Sequence, residues 1–410
     1  MPIDHTFRFF RTLSWTGLGL VASGLVACGG TSDSTPTGTL RLAMTDAPAC
    51  GYDHVYVTVN KIRVNQSATA DGTEPTGWRE LSISPQRVDL LALNNGVLQE
   101  LGSLPLPAGT YQQVRLVLAD NPANPTPANP LANALVLSGT TNEIALTTPS
   151  GQQSGYKLQA RFDVLGGQVA DMVLDFDACR SVVKAGASGR YNLKPVVSVI
   201  RRLTTAIEGY VDPAMAAGVV VSTRDPDNNL RATAPDPTTG KFVLAYLPES
   251  THYTVVVAGQ NLTTAAVTGV PVSLAADRGV TALNTALTPI RLQASDMATV
   301  AGLVTNGSNG LLTDAHVSAR QTLSTGQVLD VASTGVDTTT AAYSMNLPKA
   351  AAVRAPYASG GALTFSTDPM VAGRYNLTGE ATGYTTQSTA SLLDLGAAGT
   401  TTVKDLVLTP

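Results

Sequence analysis

The stretch "DHVYVTVNKIRV", residues 53–64, decides the fold class because its apolar and polar side chains alternate. Its first three valines share one face of a β-strand, whereas Ile62 and Val64 fall on the opposite parity. One extra residue near Asn60 or Lys61 would return them to the same face, so a β-bulge is predicted there. The three valines are Val55, Val57 and Val59.

Further alternating runs lie on both sides of this strand. "TYQQVRLVL" directs one face inward, and "ADMVLDFDAC" places three apolar side chains opposite three aspartates. Charged residues are only 14% and aromatic residues only 5%, with 37 glycines and 24 prolines. No long amphipathic helical pattern is present, so an all-β protein is expected. The inward residues are Val114, Leu116 and Leu118, then Met172, Leu174 and Phe176, opposite Asp171, Asp175 and Asp177.

Two later segments follow one plan, which indicates a repeated module. "AIEGYVDPAMAAGVVVSTRD" (206–225) and "TVAGLVTNGSNGLLTDAHVSAR" (299–320) each open with apolar-x-Gly-x-Val, a turn and a second strand. Both reach a Leu-Pro strand, and both end in Leu-Thr-Pro. Three tandem β-sandwiches are therefore expected. The predicted divisions are a signal peptide (1–27), a tether (28–37) and sandwiches at 38–203, 204–290 and 296–410, the last with an insertion at 349–373.

The amino-terminal segment predicts the location. Arg8 and Arg11 precede a short apolar run, and Leu25-Val26-Ala27-Cys28 resembles the bacterial lipobox. The resemblance implies cleavage before Cys28 and acylation of that residue, which would anchor the chain to membrane lipid. Gly29 replaces the aspartate that would resemble an inner-membrane retention signal, so the bacterial outer membrane is expected. The alternative is an ordinary signal peptide with an incidental cysteine.

The first sandwich carries a family resemblance. "GTLRLAMTDAPA", "VYVTVNKIRV", "GWREL", "VDLLAL", "LPAGTYQQVRLVL" and "YNLKPVVSVI" resemble, in order, the DUF4382 family of bacterial envelope lipoproteins. The resemblance implies a fold and a location but no activity.

The two repeats resemble the carboxypeptidase regulatory-like domain, a small seven-stranded sandwich of the carbohydrate-binding-like class. Thr251-His252 and Gln260-Asn261-Leu262 depart from its pattern in the first repeat. Sugar binding does not follow from a fold-level analogy. The matching positions are Gly209, Phe242, Leu247, Pro248 and Tyr253, and Gly302, Leu347, Pro348, Gly373, Tyr375, Gly383 and Tyr384.

The chain contains three cysteines. With Cys28 acylated, an exported chain would leave Cys50 and Cys179 to form one disulfide, and two buried thiols are the alternative. Asp46, Asp175 and Asp177 are weak candidates for calcium ligands, because their spacing matches no EF-hand loop. Solvated aspartates, and a turn at Asp46, are the simpler interpretation.

The sequence offers no catalytic cluster. His54, His252 and His316 fall in different sandwiches, and no nucleophile elbow, zinc motif or phosphate loop is present. No cofactor and no metal are therefore expected. The formal net charge is −4, and −5 without residues 1–27, which disfavours nucleic-acid binding. A paired-carboxylate hydrolase stays a weaker alternative.

Three functions remain open. The first is a non-enzymatic binding or adhesion module for a polysaccharide or an envelope protein, which an exposed row of aromatic side chains would favour. The second is a structural or assembly component, which a large apolar edge surface would favour. The third is the hydrolase, which two facing carboxylates would favour. Any ligand is expected at the loops 66–77, 121–130 or 349–373, or on an exposed sheet face beside one of them. The aromatic candidates are Trp78, Tyr52, Tyr56, Tyr246, Tyr357 and Tyr384.

Overall fold

A computed structural model describes residues 36–46, 51–74, 76–149, 151–360, 362–396 and 401–410, without the side chains of Gln159 and Asp277. The expected signal peptide, the lipobox with Cys28, most of the tether and Cys50 lie outside the described residues. Residues 36–410 cluster as one contact unit, within which the strands form three pairs of sheets. The all-β expectation is confirmed.

The first unit packs a four-stranded sheet against an eight-stranded sheet. The smaller sheet has the order β12-β9-β1-β4, in which β1 pairs parallel to β9 and antiparallel to β4. The larger sheet has the order β10-β11-β7-β6-β2-β5-β8, with β3 also paired to β2. The strands are β1 Thr37–Asp46, β2 Tyr52–Asn65, β3 Arg79–Asp89, β4 Gln99–Pro107, β5 Gly109–Leu118, β6 Ala134–Leu137, β7 Glu143–Thr147, β8 Tyr156–Val164, β9 Val169–Phe176, β10 Val182–Lys184, β11 Tyr191–Leu193 and β12 Val197–Arg201.

The predicted bulge is confirmed in β2, whose register shifts between Val59 and Lys61 against both of its long neighbours. The bulge lets the two halves of the strand bury their apolar residues in one core. The inward residues of β2, β5 and β9 named above all lie in the core of the first unit.

The second unit begins a new pair of sheets. One has the order β16-β13-β19, and the other begins β15-β14-β17-β18. Its strands are β13 Ala206–Tyr210, β14 Val219–Arg224, β15 Leu230–Thr233, β16 Lys241–Ala245, β17 Ser250–Gly259, β18 Ala265–Val272 and β19 Val280–Ala282.

The third unit repeats this plan. Its sheets are β23-β20-β29, with β30 also on β20, and β22-β21-β26-β27, with β28 also on β26. Its strands are β20 Met297–Asn306, β21 His316–Thr322, β22 Val328–Gly335, β23 Ala342–Pro348, β24 Val353–Pro356, β25 Ser366–Thr367, β26 Arg374–Glu380, β27 Gln387–Ser388, β28 Leu393–Asp394, β29 Thr401–Val403 and β30 Leu406–Leu408.

Helical segments are short. Two are α-helical turns, α1 Ala178–Ser181 and α2 Pro213–Ala216. The others are 3₁₀ turns at Leu90–Leu93, Gly186–Ser188, Asp277–Gly279 and Pro369–Val371. Among the residues described, no helix is both long enough and apolar enough to cross a membrane.

The insertion at 349–373 is not the irregular loop that the sequence predicted. Strand β24 pairs parallel to β18 and so extends the larger sheet of the second unit, and β25 continues it. Tyr357, Leu363 and Phe365 pack against the core of the second unit. A small additional core then forms between the second and third units. The segment therefore fastens two units together.

The described residues of loop 66–77 have no regular secondary structure, as expected, but the loop is bonded to the sandwich. Arg63 donates through one guanidinium nitrogen to the carbonyl oxygen of Gly72, and the Trp78 indole Nε1 donates to that of Asp71 at 2.9 Å. Backbone carbonyls of this loop are thus bonded to side chains of the sandwich. By contrast, residues 123–130 are exposed, as expected for a proline-rich loop.

Candidate functional site

A cluster of buried charges lies where the three units meet, and it is called the junction cluster below. Asp175 lies at the end of β9 in the first unit and forms an ion pair with Arg231 of β15 at 3.0 Å. Arg231 also pairs with Asp225 at 2.9 Å within the second unit. The side chains of Arg231 and Asp225 are only 5% and 1% exposed. The junction cluster comprises Asp175, Asp177 and Arg180, Arg224, Asp225 and Arg231, and Arg320, Asp330 and Glu380.

The cluster continues from the second unit to the third and back to the first. Arg224 binds both carboxylate oxygens of Asp330, at 2.6 and 2.8 Å, which is the bidentate geometry that arginine favours. Arg320 also contacts Asp330 at 2.9 Å and Glu380 at 3.7 Å. Glu380 then contacts Arg180 of the first unit at 3.4 Å. Ion pairs therefore join each unit to the other two.

The pKa values of the cluster respond to burial and to these partners. Burial raises the pKa of Asp175 to about 6, although Arg231 acts in the opposite direction. Burial likewise raises the pKa of Asp177 despite the nearby charge of Arg180. Burial works to raise the pKa of Asp330 too, but the hydrogen bonds and charges of its two arginines outweigh it and lower that pKa. The arginines of the cluster thus outweigh the effect of burial at Asp330 but not at Asp175 or Asp177.

His316 borders the same junction. Its Nε2 lies 3.0 Å from the carbonyl oxygen of Arg180, and burial lowers the pKa of His316 to about 4. The imidazole is therefore neutral near pH 7 and donates this hydrogen bond between units. His54 lies elsewhere in the first unit, with Nδ1 2.7 Å from Asp89, and His252 lies on an exposed part of the second unit.

Among the cavities that adjoin the junction cluster, two have Asp177 and Arg180 in their walls. The larger has a volume of about 640 Å³ and is lined by all three units. The smaller, of about 320 Å³, is more polar. Asp177, Arg180, Leu230 and Ala232 line both cavities and so stand between them.

The aspartates proposed as calcium ligands have other partners. The carboxylate of Asp46 accepts a hydrogen bond from the backbone nitrogen of Ala178 at 3.1 Å, and that of Asp177 accepts from Arg180 N at 2.9 Å at the start of α1. Asp175 is paired with Arg231 and is not solvated, because the second unit covers this face of β9. Within the described residues, no group of three or more His, Cys, Asp or Glu side chains could hold a metal ion.

The cysteine pairing stays a prediction. Cys179 lies in α1 and lines the larger cavity, whereas Cys50 is outside the described residues. A non-reducing peptide map of exported protein that yields two alkylatable thiols would exclude a Cys50–Cys179 bond.

The aromatic candidates do not form a row. Trp78 is 8% exposed, with Arg63 and Arg115 over its ring at 4.7 and 5.6 Å. Arg87 covers Tyr56 at 3.6 Å. The others are half-buried: Tyr52 in the first unit, Tyr246 and Tyr357 on the second, and Tyr384 on the third.

A second feature is the outward face of the sheet formed by β23, β20, β29 and β30, called the outer face below. Strand β20 buries Val300 and Val304 and directs the alternate residues outward. Pairing aligns Ala301 with Val403, and Thr305 with Val407. Leu303 is 38% and Val403 73% exposed, and Val407 is also exposed. Exposed apolar side chains therefore cover the part of this surface around Leu303 and Val403, beside the polar Thr305 and Ser344. The outer face comprises Ala301, Leu303, Thr305, Leu311, Ala342, Ser344, Val403 and Val407.

The same register positions in the second unit are charged. Glu208 and Lys241 occupy the places of Ala301 and Ala342, and they form an ion pair at 3.0 Å. Tyr210 takes the place of Leu303, and Ala282 that of Val403. The apolar outer face is thus a property of the third unit alone among these two repeats.

Sequence reasoning did not find the junction cluster. Arg224, Asp225 and Arg231 lie in or beside strands whose spacing carries no recognisable motif. One available signal was the occurrence of charged residues within alternating apolar runs. Burial of a charged side chain costs free energy unless the charge is paired. Their partners lie up to 106 residues away in sequence, so only the tertiary structure identifies them.

No curated protein matches the chain. Solved structures with some likeness include a streptococcal ancillary pilin (10% identity, 91% of this chain and 99% of that chain, TM-score 0.19) and the major pilin subunit BcpA of Bacillus cereus (10%, 91% and 99%, TM-score 0.18). The shaft pilin SpaA of Lactobacillus rhamnosus GG also matches (10%, 50% and 98%, TM-score 0.17). TM-scores this low carry no argument about the fold or function of this chain.

One family model matches, and it covers the first unit. Residues 37–195 match the domain of unknown function DUF4382. The resemblance predicted from the sequence is confirmed for this part of the chain. The first of the three units is therefore a DUF4382 domain.

Proposed function

We propose that the chain is a non-enzymatic, membrane-anchored module that docks an envelope protein through the outer face of its third unit. The observation that carries the proposal is the exposed apolar surface around Leu303 and Val403. Exposed apolar surface of this kind marks protein contacts more often than sugar contacts, which use aromatic side chains and polar partners.

The repeat itself strengthens this interpretation. The second unit has the same strands in the same register, yet an ion pair between Glu208 and Lys241 keeps its equivalent face charged. Since the fold tolerates charge at these positions, stability does not require alanine at 301 and 342. A partner that covers the face of the third unit accounts for the difference.

The carboxylates near the cavities favour a structural role over hydrolysis. Asp175 is bound to Arg231, and Glu380 lies between Arg180 and Arg320. Asp177 accepts a backbone hydrogen bond at the start of α1. These carboxylates hold the units together. A purified chain that turns over a glycoside, ester or peptide substrate, and loses that activity with Asp175→Asn, would reverse this conclusion.

The location and the relationship of the repeats are part of the proposal. Cys28 would carry the lipid, and the second and third units would be carboxypeptidase regulatory-like modules. Cys28→Ser should leave the chain in the aqueous phase of a detergent partition. Acyl labelling of that variant would contradict the anchor.

Docking is tested by photo-crosslinking in cells. A photoreactive residue at position 403 should give a defined adduct, because Val403 is the most exposed large apolar residue of the outer face. The matched control places the same residue at position 282, which is exposed and has the same register in the second unit. Adducts should form at 403 and be absent at 282.

The identity of the adduct decides between partners. A heteromeric adduct that Leu303→Asp abolishes, without a change in the melting temperature, supports the docking of an envelope protein. An adduct of two copies of this chain would contradict the envelope-protein partner and would indicate self-association through the outer face. Equal adducts at 403 and 282, or none at 403, would overturn the proposal.

A further inference from the structure

The larger cavity at the junction is a second, independent feature. Its walls come from three places: the outward face of β14 and β15 in the second unit, β22 and β23 in the third, and α1 in the first. A volume of about 640 Å³ lies within the range of small-molecule sites. Because all three units contribute, the cavity exists only in the assembled chain.

The walls combine apolar surface with a few uncharged polar groups. Val220 and Leu230 of the second unit face Val331 and Met345 of the third. Hydroxyl and amide groups lie among them. This lining suits an aliphatic body with few polar atoms. The polar residues are Ser222, Gln260, Thr264, Ser333, Thr334, Ser344 and Asn346.

The charged end of the cavity is formed by the junction cluster. That cluster contains five carboxylates and four guanidinium groups. In the described part of the chain, Asp177 is the carboxylate of the cluster that forms no ion pair. The guanidinium of Arg180, which also lines the cavity, is directed to Glu380. One negative charge beside the cavity is thus left for a cation.

We propose that this cavity binds an organic cation, with its ammonium group beside Asp177 and its aliphatic body between the strands of the second and third units. Burial raises the pKa of Asp177, although the charge of Arg180 and hydrogen bonds from the backbone of Arg180 and Cys179 act to lower it. A bound ammonium would compensate the charge of this carboxylate through a charge-assisted hydrogen bond. The cavity shares Ser344 with the outer face but is not lined by Leu303 or Val403, so either proposal can fail alone.

The test uses three probes of equal length with the full chain in detergent: hexylamine, hexan-1-ol and hexanoate. Calorimetric titration should show that hexylammonium binds at least tenfold more tightly than the alcohol and that hexanoate binds least. Equal binding of the three probes, or tighter binding of hexanoate because of Arg180, would overturn the proposal. This comparison needs no variant and so does not depend on the folding of one.

Two variants locate the site. Asp177→Asn should weaken hexylammonium at least tenfold and leave hexan-1-ol within twofold, since asparagine also caps a helix. Asp212→Asn is the matched control, because Asp212 caps α2 with its side chain on Ala214 N and lies outside the cavity. Ala232→Leu, which fills space beside Asp177, should weaken hexylammonium and hexan-1-ol alike. Unchanged hexylammonium binding in Asp177→Asn would overturn the assignment.

Discussion

The second and third units follow one sequence plan but differ in what lies between the Leu-Pro strand and the tyrosine strand. In the second unit the hydroxyl of Tyr253 donates to the carbonyl oxygen of Pro248, five residues away, at 2.8 Å. In the third unit Tyr375 donates to Pro348 at 2.7 Å across 27 residues. The hydrogen bond is thus kept although the insertion separates its partners. A sandwich can therefore carry a long segment to its neighbour without changing its own core.

The first unit has the same contact. Tyr111 donates to the carbonyl oxygen of Pro107 at 3.1 Å, within "LPAGTY". Its Leu-Pro-x-Gly-x-Tyr pattern places the tyrosine four residues after the proline that accepts the hydrogen bond. In all three units a tyrosine hydroxyl thus donates to the carbonyl oxygen of the proline in the Leu-Pro pair. The units differ in their outward surfaces.

The largest expected effect concerns the insertion. Replacing residues 353–367 by a short Gly-Ser linker removes β24 from the edge of β18 and removes buried Ala355. Tyr357, Leu363 and Phe365 also leave the core of the second unit. The free energy of unfolding should fall by about 4 kcal/mol. Circular dichroism during urea denaturation measures it.

The control for that experiment replaces residues 123–130, which are exposed. Its unfolding midpoint should match that of the unaltered chain. An equal loss in both variants, or no loss in the first, would mean that the insertion does not stabilise the second unit.

The next largest loss of stability is expected from alanine substitutions at the equivalent glycines of the third and second units. A Cβ at Gly302 would lie 2.0 Å from the backbone oxygen of Lys404, whereas one at Gly209 would meet the Phe242 ring at 2.7 Å. Because backbone yields less than a side chain, Gly302→Ala should cost about 3 kcal/mol and Gly209→Ala less. Gly307→Ala, with open space around it, is the control in urea denaturation. A reversed order would contradict the steric account.

A pH experiment separates the two interfaces of the first unit. His316 belongs to the third unit and contacts the first. Its pKa is about 4 in the folded chain and 6.5 ordinarily, so between pH 4 and pH 6.5 the folded chain binds fewer protons at this residue than the unfolded chain does. Its contribution to stability is therefore lost as the pH falls through this window. Asp175, at the contact with the second unit, has a pKa of about 6 instead of 3.8, so acidification from pH 6 to 4 stabilises the folded chain through this group.

Single variants should reveal these opposing slopes, each worth about 2 kcal/mol. Asp175→Asn should make the loss of stability from pH 6 to 4 steeper. His316→Gln should make it shallower or reverse it. Thermal unfolding at half-unit pH intervals measures both. Identical pH profiles for the two variants would contradict the assignments.

A smaller effect concerns the tyrosine hydroxyls. Tyr375→Phe should cost about 2 kcal/mol, because the bond to Pro348 is fully buried and its acceptor would be left unpaired. Tyr253→Phe should cost about 1 kcal/mol, since its bond is only partly buried. Denaturation midpoints compare the two. A larger loss in Tyr253→Phe would show that the insertion weakens the contact in the third unit.

The smallest expected effect on stability comes from a double variant that introduces the ion pair of the second unit into the third. Ala301→Glu combined with Ala342→Lys should change the free energy of unfolding by about 0.5 kcal/mol or less, as exposed ion pairs do. The same double variant should abolish the adduct at position 403. Glu208→Ala with Lys241→Ala is the reciprocal control for stability. A large stability change would show that the alanines are needed for folding.

Much of the fold could be predicted from local pattern. The alternation around Val55 and the change of parity at Ile62 gave the strand, its inward face and its bulge, because side chains alternate along any strand. The repeat of apolar-x-Gly-x-Val and Leu-Pro gave the second and third units. Local pattern did not predict the surroundings of Asp175. Its position on the outward face of β9 was correct, but its solvation was not, since Arg231 and the second unit cover it.

Periodicity and short motifs within each unit were enough to predict the all-β class, the three sandwiches and the DUF4382 resemblance. The way in which the units are joined is visible only in the folded chain: β24 pairs with β18, Arg224 binds Asp330, and all three units line one cavity. The tertiary structure also decided which sheet face is left apolar. These features depend on which residues of distant strands meet, and the energies of buried charges and strand edges are set by that meeting rather than by any local pattern.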